Sequence, residues 1–179
     1  MYPIINSKLV YEGIIVNVKI DDIALDNGQN IRRELVLQRQ SVAVLLVTDD
    51  GDLLMVRQYR HPVGKNTLEI PAGILDGDEK PHVCAIREAG EETGFIPQSL
   101  EFVCAVHSSI GISTELVHIF IGRGLVESAQ NLDFDEFVTI ERHSLHNCLQ
   151  MVKNGEITAM QTVIALQALQ LSMFTESSE

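Results

Sequence analysis

Three glutamates, Glu88, Glu91 and Glu92, are the residues of this chain best placed to do chemistry. A helix turns about 100° per residue, so the three carboxylates fall within roughly 100° of arc. Val83, Ile86, Ala89, Gly90 and Thr93 lie mostly on the other side. Like charges three and four residues apart repel. Such a face is either solvated surface, as most acidic runs are, or the seat of a cation. The flanks favour the cation. Pro71, Gly73, Gly77 and Gly94 bracket the segment with turn-forming or backbone-permissive residues. Pro81 suits a helix first turn and Gly94 its C-terminal cap. Carboxylates beside a glycine-containing loop offer side-chain and carbonyl oxygens together. Mg²⁺ and Mn²⁺ take that ligand set, with waters and substrate phosphates completing the shell.

The full stretch runs Gly73, five residues, Glu79, seven residues, then Arg87-Glu88-Ala89-Gly90-Glu91-Glu92-Thr93-Gly94-Phe95. It resembles the Nudix box, Gly-x5-Glu-x7-Arg-Glu-U-x-Glu-Glu-x-Gly-U, with U bulky or aliphatic. All seven fixed positions are met within 23 residues, with Ala89 a small entry at the first U and Phe95 at the second. The resemblance implies hydrolysis of a nucleoside diphosphate linked to another moiety, on divalent cations held by a loop–helix–loop. It implies Glu88, Glu91, Glu92 and the carbonyl of Ala72 as ligands for Mg²⁺, with Mn²⁺ an alternative. Bound metal would neutralise transition-state charge and position a water for in-line attack on phosphorus. Arg87 is expected to orient the box glutamates by ion pairing, and Gly73 and Glu79 to shape the loop.

The flanks resemble the ADP-ribose and nucleoside diphosphate sugar pyrophosphatase branch. Arg57-Gln58-Tyr59-Arg60 and Leu68-Glu69-Ile70-Pro71-Ala72-Gly73 carry that likeness. Arg60 stands twelve residues before Ala72, the branch's spacing for an arginine on the pyrophosphate, and a guanidinium fork matches phosphate oxygens. Taken as a bare residue, Arg60 is a surface arginine at a strand end. Glu69 faces the substrate pocket in the branch; as a bare residue it pairs equally well with Arg60 or Lys65. Ser108 to Glu115 resembles the branch's loop before its water-activating glutamate, which implies Glu115 as the general base, with Glu91 its rival. Ile110 replaces the proline that marks ADP-ribose preference, Ile112 replaces an aromatic residue, and the chain has no Trp for adenine stacking. These departures widen the expected substrate to nucleoside diphosphate sugars, ADP-ribose and GDP-mannose among them. Two competitors remain. One is a Nudix enzyme acting on dinucleoside polyphosphates or nucleoside triphosphates. The other is a non-catalytic nucleotide-binding regulator, disfavoured because every box carboxylate is present.

With 179 residues, 45% hydrophobic and 21% charged, the chain suits one globular domain with a small appendage. A net charge of −12 argues against nucleic acid or anionic membrane as partner. Local arginines and a metal can still attract phosphate. Cys84, Cys104 and Cys148 are odd in number and far apart, as free thiols in a reducing cytosol would be. No signal peptide or membrane-spanning run is indicated, so a cytoplasmic protein is expected.

The elements that must position these residues read as α/β. The resemblance implies a Nudix-type α/β/α sandwich with a mixed sheet, preceded by N-terminal antiparallel strands. Residues 1–40 form the strand region and 41–179 the catalytic domain. Strands are expected at 8–20 (one or two), 31–38, 41–48, 52–60, 67–70, 100–107, 115–122 and 137–142, with Asp26-Asn27-Gly28 and Asp49-Asp50-Gly51 as turns. Helices are expected over the box, over 144–153 and over 158–173, the last with Met160, Val163, Ile164, Ala168 and Leu171 as its core stripe. A short low-complexity tail, 175–179, ends the chain. Strands outside a compact unit need something to pair with, so a homodimer is expected. The branch's partner-exchanging dimers imply Arg33, or Arg32, as a contact to substrate held by the other subunit.

Overall fold

The computed structural model describes residues 2–132, 134 and 137–176. The chain divides into two compact units, one comprising residues up to Gln40 together with Val106–Leu116, the other Ser41–Ala105 and Val117 onward.

The first unit is an antiparallel sheet in the order β1-β2-β3, from β1 (Ile4–Glu12), β2 (Asn17–Ala24) and β3 (Asn30–Leu37). The Asp26-Asn27-Gly28 turn joins β2 to β3, with Gly28 at φ 80°, where only glycine sits at ease. Edge strand β1 is exposed along its whole length. The loop 108–114 belongs with these strands: the Val36 N–H donates to the Ile112 carbonyl (2.7 Å) and the Thr114 N–H to the Val36 carbonyl (3.0 Å).

The second unit is built on a mixed sheet in the order β10-β5-β4-β9-β8. Its strands are β4 (Ser41–Val47), β5 (Leu53–Arg60), β8 (Phe95–His107), β9 (Leu116–Glu127) and β10 (Thr139–His143). Every residue of β4 is buried, as its unbroken apolar run requires. Val42, Val44 and Leu46 pack with Leu54 against Cys84, Ala85 and Ala89 of α1 (Pro81–Thr93). Alternation leaves Ala43, Leu45 and Val47 to the other face. There α3 (Met160–Glu176) covers β4 and packs on α2 (Leu145–Lys153).

Beta-4 and β5 stay paired only at Leu46↔Leu54 and Val47↔Leu53. Beyond that they part. Short strands fill the fork: β6 (Lys65–Glu69) pairs with β5 from Val56 to Arg60, and β7 (Ala72–Ile74) pairs with β4 from Ser41 to Ala43. Strand β7 is absent from the sequence reading because three residues containing a glycine carry no alternation. Strand β8 starts directly after the helix cap and β9 runs on to Glu127, both longer than expected.

The core stripe of α3 is a correction. The face turned inward carries Thr162, Ala165, Leu166 and Leu169, while Leu171 is 66% exposed and Met160, Val163, Ile164 and Ala168 are only partly covered. The helix is apolar nearly all round, so periodicity had no polar face to orient it. Of the expected tail, residues 177–179 lie outside the described residues. Among those described, no helix is long and apolar enough to cross a membrane.

One ion pair ties β10 to β5. Arg57 grips Glu141 through Nε and Nη2, and His143 Nε2 lies 2.8 Å from the same carboxylate. The Arg57 hydrogen bonds hold the Glu141 carboxyl at about 2 against an ordinary 4.5, with burial opposing them. A carboxyl lowered on folding gives its stability in full above about pH 4.5 and loses it as pH falls toward 2. E141Q is expected to lower stability by about 1 kcal/mol at pH 7, a figure kept small by the partly exposed arginine. The gap to wild type should shrink to under half at pH 3. Urea midpoints at the two pH values measure it, and an equal gap at both would refute the linkage.

Candidate active site

Helix α1 opens on Pro81, whose missing N–H costs nothing in a first turn, and closes on Gly94 at φ 70°, whose N–H donates to the Gly90 carbonyl. Its polar face is organised by Arg87. The guanidinium donates through Nε and Nη2 to Glu79 (3.1 and 2.9 Å), and through Nη1 to Glu88 and Glu91 (2.8 Å each). Nη2 also reaches the Ile74 carbonyl (3.3 Å) and the Cys84 thiol (3.2 Å). The pairing with Arg87 holds the Glu79 carboxyl at about 2, against burial. The three acidic neighbours raise Arg87 above its ordinary value, Glu79 first among them. Burial pushes the Cys84 thiol up to about 12, which keeps it out of nucleophilic chemistry at neutral pH.

Glu92 turns the other way. It is 1% exposed, and its Oε2 accepts from the Ala72 N–H (3.3 Å). That amide sits in the corner Ile70-Pro71-Ala72, where the chain crosses the fork from β6 to β7. Ile70 and Pro71 are buried and Ala72 is partly so, and their backbone groups need partners. The Ile70 N–H donates to Thr162 Oγ1 on α3 (3.1 Å), and the Pro71 carbonyl accepts from Val44 N–H (2.9 Å). Proline has no N–H to satisfy. Thr162 is wholly buried and the sequence reading missed it. Nothing in a threonine 92 residues downstream marks it as the partner of this corner.

A Cβ at Gly73 would fall within the Glu88 carboxylate, so glycine there leaves room for the position that carboxylate takes. Glu88 therefore lies directly on the backbone next to Ala72. Arg60, at the end of β5, binds Glu69 in a two-pronged pair: Nε to Oε1 at 2.9 Å, Nη2 to Oε2 at 3.0 Å. Of the two partners open to Glu69, the structure takes Arg60 over Lys65. Thr67 donates its hydroxyl to the same Oε1.

One unit thus brings together Ala72, Glu88 and Glu92 at the corner, Glu91 on the same helix, and Arg60 with Glu69. Arg33 and Glu115 belong to the first unit. Arg33, on β3, donates Nη1 to the Arg32 carbonyl (3.1 Å), while Arg32 is committed to Asp22 (2.9 Å). The loop before Glu115 is fixed by its own turn: the Glu115 N–H donates to Ser113 Oγ (3.0 Å), and its carbonyl lies 3.1 Å from His107 Nδ1.

The donor set suits a hard divalent cation. Glu79, Glu88, Glu91 and Glu92 set four carboxylates against the single guanidinium of Arg87, leaving net negative charge beside oxygen donors. Among the described residues no three acidic, His or Cys side chains converge on one point as they stand. Glu88 and Glu91 are turned onto Arg87, so a cation would compete with that guanidinium for their oxygens.

This assembly, a box helix capped by glycine with its carboxylates against a wedged strand corner, is matched by family comparison. The NUDIX domain model matches residues 37–163. The chain belongs to the NUDIX family. It is 40% identical over 169 residues to the methanol dehydrogenase activator of Bacillus methanolicus, covering 93% of this chain and 91% of that one. It is 37% identical, with the same coverages, to the ADP-ribose pyrophosphatase of Bacillus subtilis (strain 168). To the GDP-mannose pyrophosphatase of Cronobacter sakazakii it is 33% identical over 94% of each chain. The crystal structure of an ADP compounds hydrolase shares the fold with TM-score 0.89 at 21% identity, covering 98% of this chain and 95% of that one.

G73A separates clearance from folding. Only the mobile end of Glu88 must move, so the thermal midpoint should fall by no more than a few degrees. Displacing that carboxylate should cut turnover at least about tenfold. Melting and steady-state assays on the one variant check this, and wild-type turnover would refute the role given to Glu88.

Proposed function

We propose that this chain hydrolyses the pyrophosphate bond of nucleoside diphosphate sugars, ADP-ribose and GDP-mannose among them, releasing a nucleoside monophosphate and a sugar phosphate. The observation that carries the reading is the Arg60–Glu69 pair in the same unit as a complete box. A guanidinium fixed by its own carboxylate presents a planar fork to a pyrophosphate. The ADP-ribose and GDP-mannose pyrophosphatases among its relatives support the substrate class.

Glu88, Glu91, Glu92 and the Ala72 carbonyl would hold the divalent cation, Mg²⁺ in this proposal. Such a cation, when bound, supplies Lewis-acid stabilisation of phosphate oxygens and a more acidic water. The chain's own contribution is orientation. Arg87 sets Glu88 and Glu91, the Ala72 amide sets Glu92, and Arg60 receives the phosphate. Glu115 is proposed to take the proton from the attacking water, with Glu91 the other candidate; the pH profile of kcat in E115Q tells them apart, since loss of its acidic limb assigns the proton to Glu115 and an unchanged limb at near-normal kcat assigns it to Glu91. Three free cysteines, two of them buried, suit a reducing cytoplasm.

E92Q keeps the shape and one acceptor oxygen while removing the charge. With Mg²⁺ and a panel of nucleoside diphosphate sugars, dinucleoside polyphosphates and nucleoside triphosphates, wild type is expected to turn over the sugars best. E92Q should lose at least about a hundredfold in kcat. Near-normal E92Q activity would sink Glu92 as a ligand, and preference for triphosphates would sink the substrate class.

The activator relative favours a second reading, in which the chain stimulates a dehydrogenase; alcohol oxidation rates with and without the chain test it.

The homodimer remains our reading of the first unit. Strand β1 is exposed at every residue and carries Ile4, Ile5, Leu9, Val10 and Tyr11, an apolar edge that a second copy would cover. Arg33 is then the candidate to reach the neighbouring subunit's substrate, since Arg32 is held by Asp22. Light scattering at micromolar concentration should give twice the chain mass, and a monomer there counts against the arrangement.

A further inference from the structure

We infer that Thr67 is a positioning residue for phosphate binding, acting through Glu69 on Arg60. The inference rests on Arg60 as the pyrophosphate contact. Thr67 and Glu69 stand two residues apart on β6 and so share a face, opposite Gln58 and Val56 of β5. Both are buried, at 6% and 4% exposure. Valine would suit this strand position as well and bury no hydroxyl. The hydroxyl has a use here: it donates to Glu69 Oε1, the oxygen that also accepts from Arg60 Nε. Oε2 accepts from Nη2. Glu69 thus takes two of the five N–H donors of a guanidinium, along one edge, and leaves the plane of the group defined.

Remove the Thr67 hydroxyl and a buried carboxylate loses the hydrogen bond that fixes its rotation. The Arg60 side chain is 40% exposed against 5% for Glu69. The arginine is therefore the partner with room to swing, and its orientation depends on the carboxylate beneath it. Glu69 itself, with both oxygens engaged and little exposure, acts on substrate through the arginine. The Thr67 hydroxyl bonds to Glu69 and acts through Arg60 in this scheme, so its loss touches binding more than the chemical step.

The test is a double-mutant cycle on Thr67 and Arg60, with the best nucleoside diphosphate sugar from the panel and steady-state kinetics as the readout. T67V is expected to raise KM about 5- to 10-fold, less than the roughly tenfold or more that a hydrogen bond to a charged group is itself worth because the loss reaches substrate only through Arg60, with kcat kept within about twofold. T67S, which restores the hydroxyl, should bring KM back to within about twofold of wild type. R60A should raise KM at least as much as T67V, and adding T67V to R60A should change KM by less than about twofold. T67A takes the place of T67V if the valine variant does not fold. A raised KM in R60A with an unchanged KM in T67V overturns the role of Thr67 alone. A T67V effect that persists in full in the R60A background overturns the route through Arg60. An unchanged KM in R60A overturns the reading of Arg60, and the inference with it.

Discussion

A buried strand corner must satisfy every backbone N–H and carbonyl it carries, and the active-site half of this molecule is arranged around one such corner. Strands β4 and β5 separate after two paired residues, and Ile70-Pro71-Ala72 is wedged between them. An unpaired buried amide costs about 1–3 kcal/mol. Three of its groups are answered from three elements: the Ile70 N–H by Thr162 on α3, the Pro71 carbonyl by Val44 on β4, and the Ala72 N–H by Glu92 on α1. The same satisfaction that stabilises the fold sets the Ala72 carbonyl beside a carboxylate-bearing helix. Folding and site construction share these bonds, so Glu92, a cation ligand in the proposed function, doubles as the partner of a structural amide.

Electrostatics adds the second constraint. Glu79, Glu88 and Glu91 crowd one helix face and its approach, and Arg87 is the cation that makes the crowding tolerable. One guanidinium cannot neutralise them all. The residual negative charge would favour a divalent ion, and Arg87 holds Glu88 and Glu91 in place. Arg60 and Glu69 repeat the device as a one-to-one pair, in which a buried carboxylate fixes the plane of a more exposed arginine. A chain of net charge −12 with a net negative box face would meet a polyanionic substrate through a bound divalent cation, with the Arg60 fork beside it in the proposed function.

The legible parts of the fold were those with local causes. Pro81 and Gly94 bound the box helix because ring geometry and positive φ act within a turn. The hairpin at Asn27-Gly28 and the doubly buried β4 follow from turn chemistry and an unbroken apolar run. The inward face of α3 was misjudged because that helix is apolar almost all round, and a threonine, Thr162, sits at the centre of the buried side. Strand β7 went unseen because its pairing partner, and nothing in its own three residues, makes it a strand.

By itself the sequence determined the residues available: three glutamates at helical spacing, Gly73 at the head of the box, and an arginine twelve residues before Ala72. Such spacings act along one helix or one turn, so they survive without knowledge of the rest. Only the tertiary structure decided which groups hold which. Glu69 could choose between Arg60 and Lys65, and in the fold it takes Arg60, with the buried Thr67 hydroxyl on the same carboxylate oxygen. Thr162 could have been any core threonine until α3 lay across the fork. Those choices depend on residues far apart in the chain meeting in a dry interior, where a hydrogen bond without an alternative in water is worth most.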